Sequence, residues 1–146
     1  MTDLGTLDGV WVESEDHAIN DYGRIAGYAY SPTTEFVQAF LYSGSVMANL
    51  GTLGGTNSYA SGINNLGNVV GKAQVVGDIY HAFLYSDSMM ADLNDCIASG
   101  SGWLLQNAVD INDVGQIVGV GINPQGQTRA FLLTPIPEPT SDVSLA

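Results

Sequence analysis

The sequence predicts an all-β chain of three tandem four-stranded antiparallel meander repeats, and three observations carry that prediction. The segment Ala18-Ile19-Asn20-Asp21-Tyr22-Gly23-Arg24-Ile25-Ala26-Gly27 recurs as Gly62-Ile63-Asn64-Asn65-Leu66-Gly67-Asn68-Val69-Val70-Gly71. It recurs again as Asp110-Ile111-Asn112-Asp113-Val114-Gly115-Gln116-Ile117-Val118-Gly119. Each copy is followed by a second pattern, Ala39-Phe40-Leu41-Tyr42, Ala82-Phe83-Leu84-Tyr85 and Ala130-Phe131-Leu132. The runs between these landmarks are short, rich in Val, Ile and aromatic residues, and bounded by Gly, Asn, Asp and Ser, as strands are. A repeat with a period of about 45 residues is one supersecondary unit that cannot bury its apolar face alone, so neighbours must stack.

The middle copy shows the elements in order. Ser58 to Asn64 reads as a first strand, with Tyr59, Ser61 and Ile63 on one face. Asn64-Asn65-Leu66-Gly67 is a turn, because Asx side chains bond their own backbone and Gly accepts the positive φ that closes a short hairpin loop. Gly23, Gly67 and Gly115 are all expected at positive φ. Asn68 to Val76 is a second strand, Ile79 to Tyr85 a third and Met89 to Leu93 a fourth, with turns at Gly77-Asp78 and Ser86-Asp87-Ser88. The repeats fall at about 9–53, 54–95 and 96–134, and 135–146 is a disordered Pro-rich tail.

The third repeat runs from Phe131-Leu132-Leu133 into Pro135 and Pro137, so it has no fourth strand of its own. Asp3-Leu4-Gly5-Thr6-Leu7 copies Asn49-Leu50-Gly51-Thr52-Leu53 and is expected to complete the third repeat, beside the strand carrying Arg129 to Leu132. Propeller-type blades number about four to eight, so three blades call for a homodimer that closes a six-bladed ring. The alternative is a threefold β-prism or β-trefoil closed within one chain.

Composition narrows the partners. Hydrophobic residues make up 45 % and charged residues 12 %, so the surface is covered by uncharged polar groups. Three basic against fifteen acidic residues give a net charge of -12. Phosphate binding needs Lys and Arg to displace counterions, so nucleic acid is not expected as a partner, and an anionic membrane surface is disfavoured by the same repulsion. No apolar run is long enough to span a bilayer, so no membrane insertion is expected. Cys96 is alone and can form no intrachain disulfide. The opening residues Met1-Thr2-Asp3-Leu4 show no basic and apolar signal-peptide pattern.

The residues with potential chemistry are few. Asn20, Asp21, Asn64, Asn65, Asn112 and Asp113 stand at matching turn positions and carry oxygens that suit Ca²⁺. Turn chemistry explains them without an ion, and no metal or cofactor is expected. Glu13, Glu15 and Asp16, beside His17, are an acidic cluster of the kind that performs acid–base work in hydrolases, although solvated acids at a strand start are ordinary. His81 opens a strand as a rim histidine, and with His17 it gives little material for a zinc site. Tyr28, Tyr30, Tyr42, Tyr59, Tyr80, Tyr85, Trp11 and Trp103 are numerous for the length. About half are expected in the core, and the others, beside Asn and Gln, are what a neutral glycan stacks on. No residue is assigned as catalytic.

Asp92-Leu93-Asn94, Gly100-Ser101-Gly102-Trp103, the Asp110–Gly119 motif and Gly126-Gln127-Thr128-Arg129-Ala130-Phe131-Leu132-Leu133-Thr134-Pro135 together resemble the closing repeat of the bacterial extracellular HAF-repeat family. That family's tripeptide stands here as His81-Ala82-Phe83, and Asn49-Leu50-Gly51-Thr52-Leu53-Gly54-Gly55-Thr56 resembles its other hallmark. The resemblance covers about residues 2–134 and implies an exported, extracellular or cell-surface repeat protein of propeller-like blades, from a family with no established enzymatic activity. Two features depart from the family pattern. Gln38 and Arg129 replace the histidine in the outer copies, so the repeat does not require it, and three repeats are few for the family. Pro135-Ile136-Pro137-Glu138-Pro139-Thr140-Ser141 is similar to the start of a PEP-CTERM sorting signal, although the chain stops at Ala146 without the apolar helix that follows in that family. The expected function is therefore a binding or scaffold module whose partner is an unknown protein or glycan. A lectin-like role is the first alternative, and a hydrolase using Glu13, Glu15 and Asp16 the second.

Overall fold

The computed structural model describes residues 1–7 and 13–136, and within them the chain is all-β. The first sheet consists of β1 (Glu13–Ile19), β2 (Ile25–Ser31), β3 (Phe36–Ser43) and β4 (Val46–Gly51), paired antiparallel in that order. The second repeats the meander with β5 (Ser58–Ile63), β6 (Val69–Gln74), β7 (Tyr80–Ser86) and β8 (Met89–Asp92). A 3-10 turn over Leu93–Cys96 leads to the third sheet, β9 (Leu104–Ile111), β10 (Ile117–Ile122) and β11 (Thr128–Leu133). The middle-copy strands lie within two residues of their predicted bounds. The tight turn Asp87-Ser88 has positive φ at both residues, as does Gly44-Ser45 in the first repeat, which is the twist a two-residue hairpin needs.

The sheets stack through matching faces. Val69, Ala73 and Phe83 of the second sheet pack with Ala26, Ala39 and Leu41 of the first. Val70, Ala82 and Leu84, on the opposite face of the second sheet, pack with Leu105, Ala108, Ile111 and Ile117 of the third. Burying a side chain such as Leu105 contributes about 2 kcal/mol, so each inter-sheet core outweighs any polar contact beside it. The central sheet is apolar on both sides, which is why Val69-Val70 and Ala82-Phe83-Leu84 read as continuous runs.

Among the described residues none of the three sheets is closed, and no apolar cluster contains residues of both the first and the third. The threefold single-chain β-prism or β-trefoil is therefore incorrect, because it requires those two sheets to meet. The sealing strand is also corrected within one chain. Residues 3–7 form no strand beside β11, which remains the outer strand of a three-stranded sheet. They are tied to the sheet they lead into. The Ser14 hydroxyl donates to the Gly5 carbonyl at 2.8 Å, and Leu7 is buried against Ala29 and Phe40. Trp11 and residues 137–146, which hold Pro137, Glu138 and Pro139, lie outside the described residues.

Each first strand bulges at the same place, opposite a glycine that makes room for it. The β5–β6 register jumps between Ala60 and Gly62, as β1–β2 does between Asp16 and Ala18, and β9–β10 departs beside Val109. Opposite each bulge stands Gly27, Gly71 or Gly119. A Cβ there would collide with the Glu15, Tyr59 or Asn107 carbonyl and with the ring of Phe40, Phe83 or Phe131. The bare glycine lets the phenylalanine of the third strand lie flat on the second while the first strand bends over both. The bulge also corrects the predicted face. Tyr59 pairs with Lys72 and Ile63 with Val69, so the two side chains point to opposite sides of the sheet.

Gly71→Ala is expected to cost about 1–3 kcal/mol in urea unfolding, since the added methyl displaces backbone on one side and a buried ring on the other. Gly67, at φ 81°, is the second test. Gly67→Val is expected to cost more than about 1 kcal/mol, because a β-branched residue resists that region.

Candidate functional site

The Asn-Asx turns form a continuous ladder across the stack. Gly23, Gly67 and Gly115 all take positive φ, as predicted, and close three superposable turns. In each turn the first Asn accepts through Oδ1 from two backbone amides. Asn20 takes those of Tyr22 and Arg24, Asn64 those of Leu66 and Asn68, and Asn112 those of Val114 and Gln116. Its Nδ2 is then free to reach the next repeat. Asn20 donates to the Asn64 carbonyl at 3.0 Å, and Asn64 to the Asn112 carbonyl at 3.1 Å. A second rail runs through the following residue. The Asp21 amide donates to Asn65 Oδ1 and the Asn65 amide to Asp113 Oδ1, both at 2.8 Å.

Asn65 Nδ2 sits between the two carboxylates and donates to Asp21 Oδ2 and Asp113 Oδ2, both at 2.9 Å. The middle copy's loss of a carboxylate is thus what lets three stacked turns hold two acids without direct repulsion. Among the described residues no group of three His, Cys, Asp or Glu side chains converges to hold a metal ion.

The acidic cluster does not converge. Glu15 accepts from the Tyr28 hydroxyl at 2.8 Å, on the side where Tyr28 meets the second sheet. Asp16 alternates to the other side, into a shallow depression with Ser14, Leu4 and Phe40. Glu13 lies across from Tyr30, and all three acids are exposed. His81 is held by Asp92, Nδ1 to Oδ2 at 2.6 Å, and the same Asp92 caps the 3-10 turn through the Asn94 amide. Gln38 occupies the equivalent place in the first repeat and pairs with the Asn49 side chain, while Arg129 in the third has no fourth strand opposite it. Histidine at this position is one way of pairing the third strand with the fourth.

Of the eight aromatics, the structure gathers three. Tyr28, Tyr59 and Tyr80 form a row across the first two sheets, with ring centres 5.0 and 6.1 Å apart, and His17 continues it at 5.0 Å from Tyr28. Lys72 Nζ lies 5.1 Å from the Tyr59 ring and 4.9 Å from the Tyr80 ring. Burial, then the neighbouring Tyr80 and Tyr28, pushes the Tyr59 hydroxyl above its ordinary pKa. The bond to Glu15, then burial, does the same for Tyr28. Tyr42, Tyr85 and Trp103 pack against the apolar clusters instead.

Sequence reasoning missed Lys72 and Gln74. Gln74 is buried and its Oε1 accepts from the Thr56 hydroxyl and from the Thr56 and Asn57 amides. The only signal was the polar Thr56-Asn57-Ser58 run that leads into β5. No family model, curated protein or solved structure matches this chain.

Asn64→Ala is expected to cost more than about 2 kcal/mol, since it removes a buried side chain that holds the Leu66 and Asn68 amides and it cuts the ladder. Asn112→Ala is expected to cost clearly less, because its Nδ2 reaches only Gln116 of its own turn. Equal losses in chemical denaturation would contradict the ladder.

A folded-state pKa above the unfolded value of 10.0 means Tyr59 supports stability fully below pH 10, and that support is lost as pH rises through the folded pKa. The urea midpoint is expected to fall more steeply between about pH 9 and about pH 11 in the wild type than in Tyr59→Phe.

Proposed function

We propose that this chain is an exported, non-enzymatic repeat protein that serves as a binding or scaffold module at the cell surface or in matrix, with its three sheets acting as propeller-type blades. The observation that carries the reading is where the repeated polar residues go. Asn20, Asn64, Asn112, Asp21, Asn65 and Asp113 are engaged in backbone turns and in one another, and their repetition serves stacking rather than chemistry. The blade reading is supported by the meander order of each sheet and by face-to-face stacking in chain order. Export and the extracellular setting rest on the resemblance to HAF repeats and to the Pro-Glu-Pro sorting segment.

A hydrolase built on Glu13, Glu15 and Asp16 is less well supported, because Glu15 and Asp16 point to opposite sides of one exposed strand. The chain is expected to be silent on a panel of glycosidase, esterase and peptidase substrates. Turnover abolished by Glu15→Gln would overturn the non-enzymatic reading.

The tyrosine row favours a second reading, a neutral glycan as the bound partner. Tyr28, Tyr59 and Tyr80 are half-buried, flanked by the Lys72 ammonium and the Glu15 carboxylate, which offer a donor and an acceptor to sugar hydroxyls. A glycan array is expected to give hits that Tyr59→Ala removes, and an empty array excludes the lectin-like role.

A further inference from the structure

The two ends of the stack are unlike each other and complementary. On the second sheet, Val70, Ala82 and Leu84 are covered by the third sheet, and Val70 and Ala82 are fully buried. The equivalent residues of the third sheet are Val118, Ala130 and Leu132. Nothing among the described residues covers them, and Val118 and Leu132 are 45 % and 59 % exposed. The ladder is also left unfinished in matching ways. At the third repeat Asn112 Nδ2 turns back to Gln116, and the Asp113 amide has no partner among the described residues. At the first repeat the Asn20 carbonyl accepts, among the described residues, only from Gly23, whereas the Asn64 and Asn112 carbonyls each also take an amide from the preceding repeat. Donors remain at one end and acceptors at the other.

Residues 3–5 reproduce the end of a fourth strand. The Gly5 amide donates to Asp3 Oδ1 at 2.8 Å, as the Gly51 amide does to Asn49 Oδ1 at 2.8 Å. The Ser14 hydroxyl donates to the Gly5 carbonyl as the Ser58 hydroxyl does to Gly51, and Gly5 and Gly51 share φ near 80°, at 79° and 83°. In the first repeat this geometry belongs to β4, where Asn49 stands across from Phe40 and its side chain meets Gln38. The segment is therefore poised as the outer strand of a sheet that would precede the first. An open groove of about 340 Å³ reaches β11 and is lined by Ile97, Trp103, Leu105, Phe131 and Leu133.

We infer that the outer face of the third sheet docks on the first sheet of a second copy of this chain, head to tail, with the partner's Asp3–Leu7 segment lying along β11. At the third-strand position the charges agree with this register, while at the ladder the Asp113 and Asp21 carboxylates meet without the amide that Asn65 supplies within the chain. Third and fourth strands pair Gln38 with Asn49 and His81 with Asp92, and the same position at the junction pairs Arg129 with Asp3 of the second copy. Asn112 Nδ2 then reaches the second copy's Asn20 carbonyl, and the Asp113 amide reaches its Asp21 carboxylate. Two such junctions close a ring of six sheets, which is the homodimer the repeat count calls for, and a rotation that fails to close extends the same contact into a chain of copies. The inference is independent of what the tyrosine row binds.

Sedimentation velocity of the full chain, from about 1 to about 100 µM, tests it. The expected result is a species of at least twice the chain mass, strengthened when NaCl rises from about 50 to about 500 mM, because each copy carries a charge of -12. Val118→Glu, at an exposed position, is expected to weaken association at least about tenfold with no change in the thermal melt of the dissociated chain at low concentration. Arg129→Asp and Asp3→Arg are each expected to weaken it severalfold, and the double exchange to restore it. A monomer at every concentration, or association indifferent to both Val118→Glu and the charge exchange, overturns the inference.

Discussion

The structure depends on one hydrogen bond made twice, from the side-chain amide of a turn asparagine to the backbone carbonyl of the same asparagine one repeat later. Each Asn must first close its own turn through Oδ1 before Nδ2 is aimed outward. Local conformation and inter-repeat packing are therefore set by a single residue. Asp cannot replace it, having no donor, and Gln would carry the amide a methylene too far. The apolar clusters between the sheets supply most of the stabilisation. They are slippery in register, however, and the ladder is what fixes one sheet against the next.

The bulge extends the same constraint. With glycine on the second strand and phenylalanine on the third, the first strand bends over the ring. That bend brings the three first strands together at the end where the turns lie, close enough for side chains to span successive repeats. Gly62 shows how tight this approach is, because a Cβ there would meet the Asp110 Cα at 2.9 Å. The sequence pattern Ile-Asn-Asx-x-Gly-x-Ile/Val-Ala/Val-Gly is thus a single packing device that is complete in the middle repeat, where Ile63, Asn64, Asn65, Val69, Val70 and Gly71 all meet partners.

Much of this was legible in the chain. The repeat, the strand bounds, the turn glycines and the missing fourth strand of the third sheet follow from period, turn chemistry and the prolines after Leu133. The ladder was not legible, because an Asx turn accounts for Asn20, Asn64 and Asn112 locally and gives no sign that a second bond reaches the next repeat. The tyrosine row was hidden for a related reason. Tyr28, Tyr59 and Tyr80 come from two sheets and three strands, and only the bulge beside Ser61 turns Tyr59 away from the Ile63 side. Residues 3–7 copy 49–53 in sequence, but their attachment to Ser14, Ala29 and Phe40 places them on the sheet they precede.

Amide hydrogen exchange resolved residue by residue tests the ladder most directly. The amides of Asp21 and Asn65 donate to side chains of the next repeat, whereas the Asp113 amide, in an identical turn, has no next repeat among the described residues to donate to. In dilute solution the account predicts slow exchange at Asp21 and Asn65 and fast exchange at Asp113. Equal rates at all three turns would contradict it, since the three amides would then be held by their own turns alone.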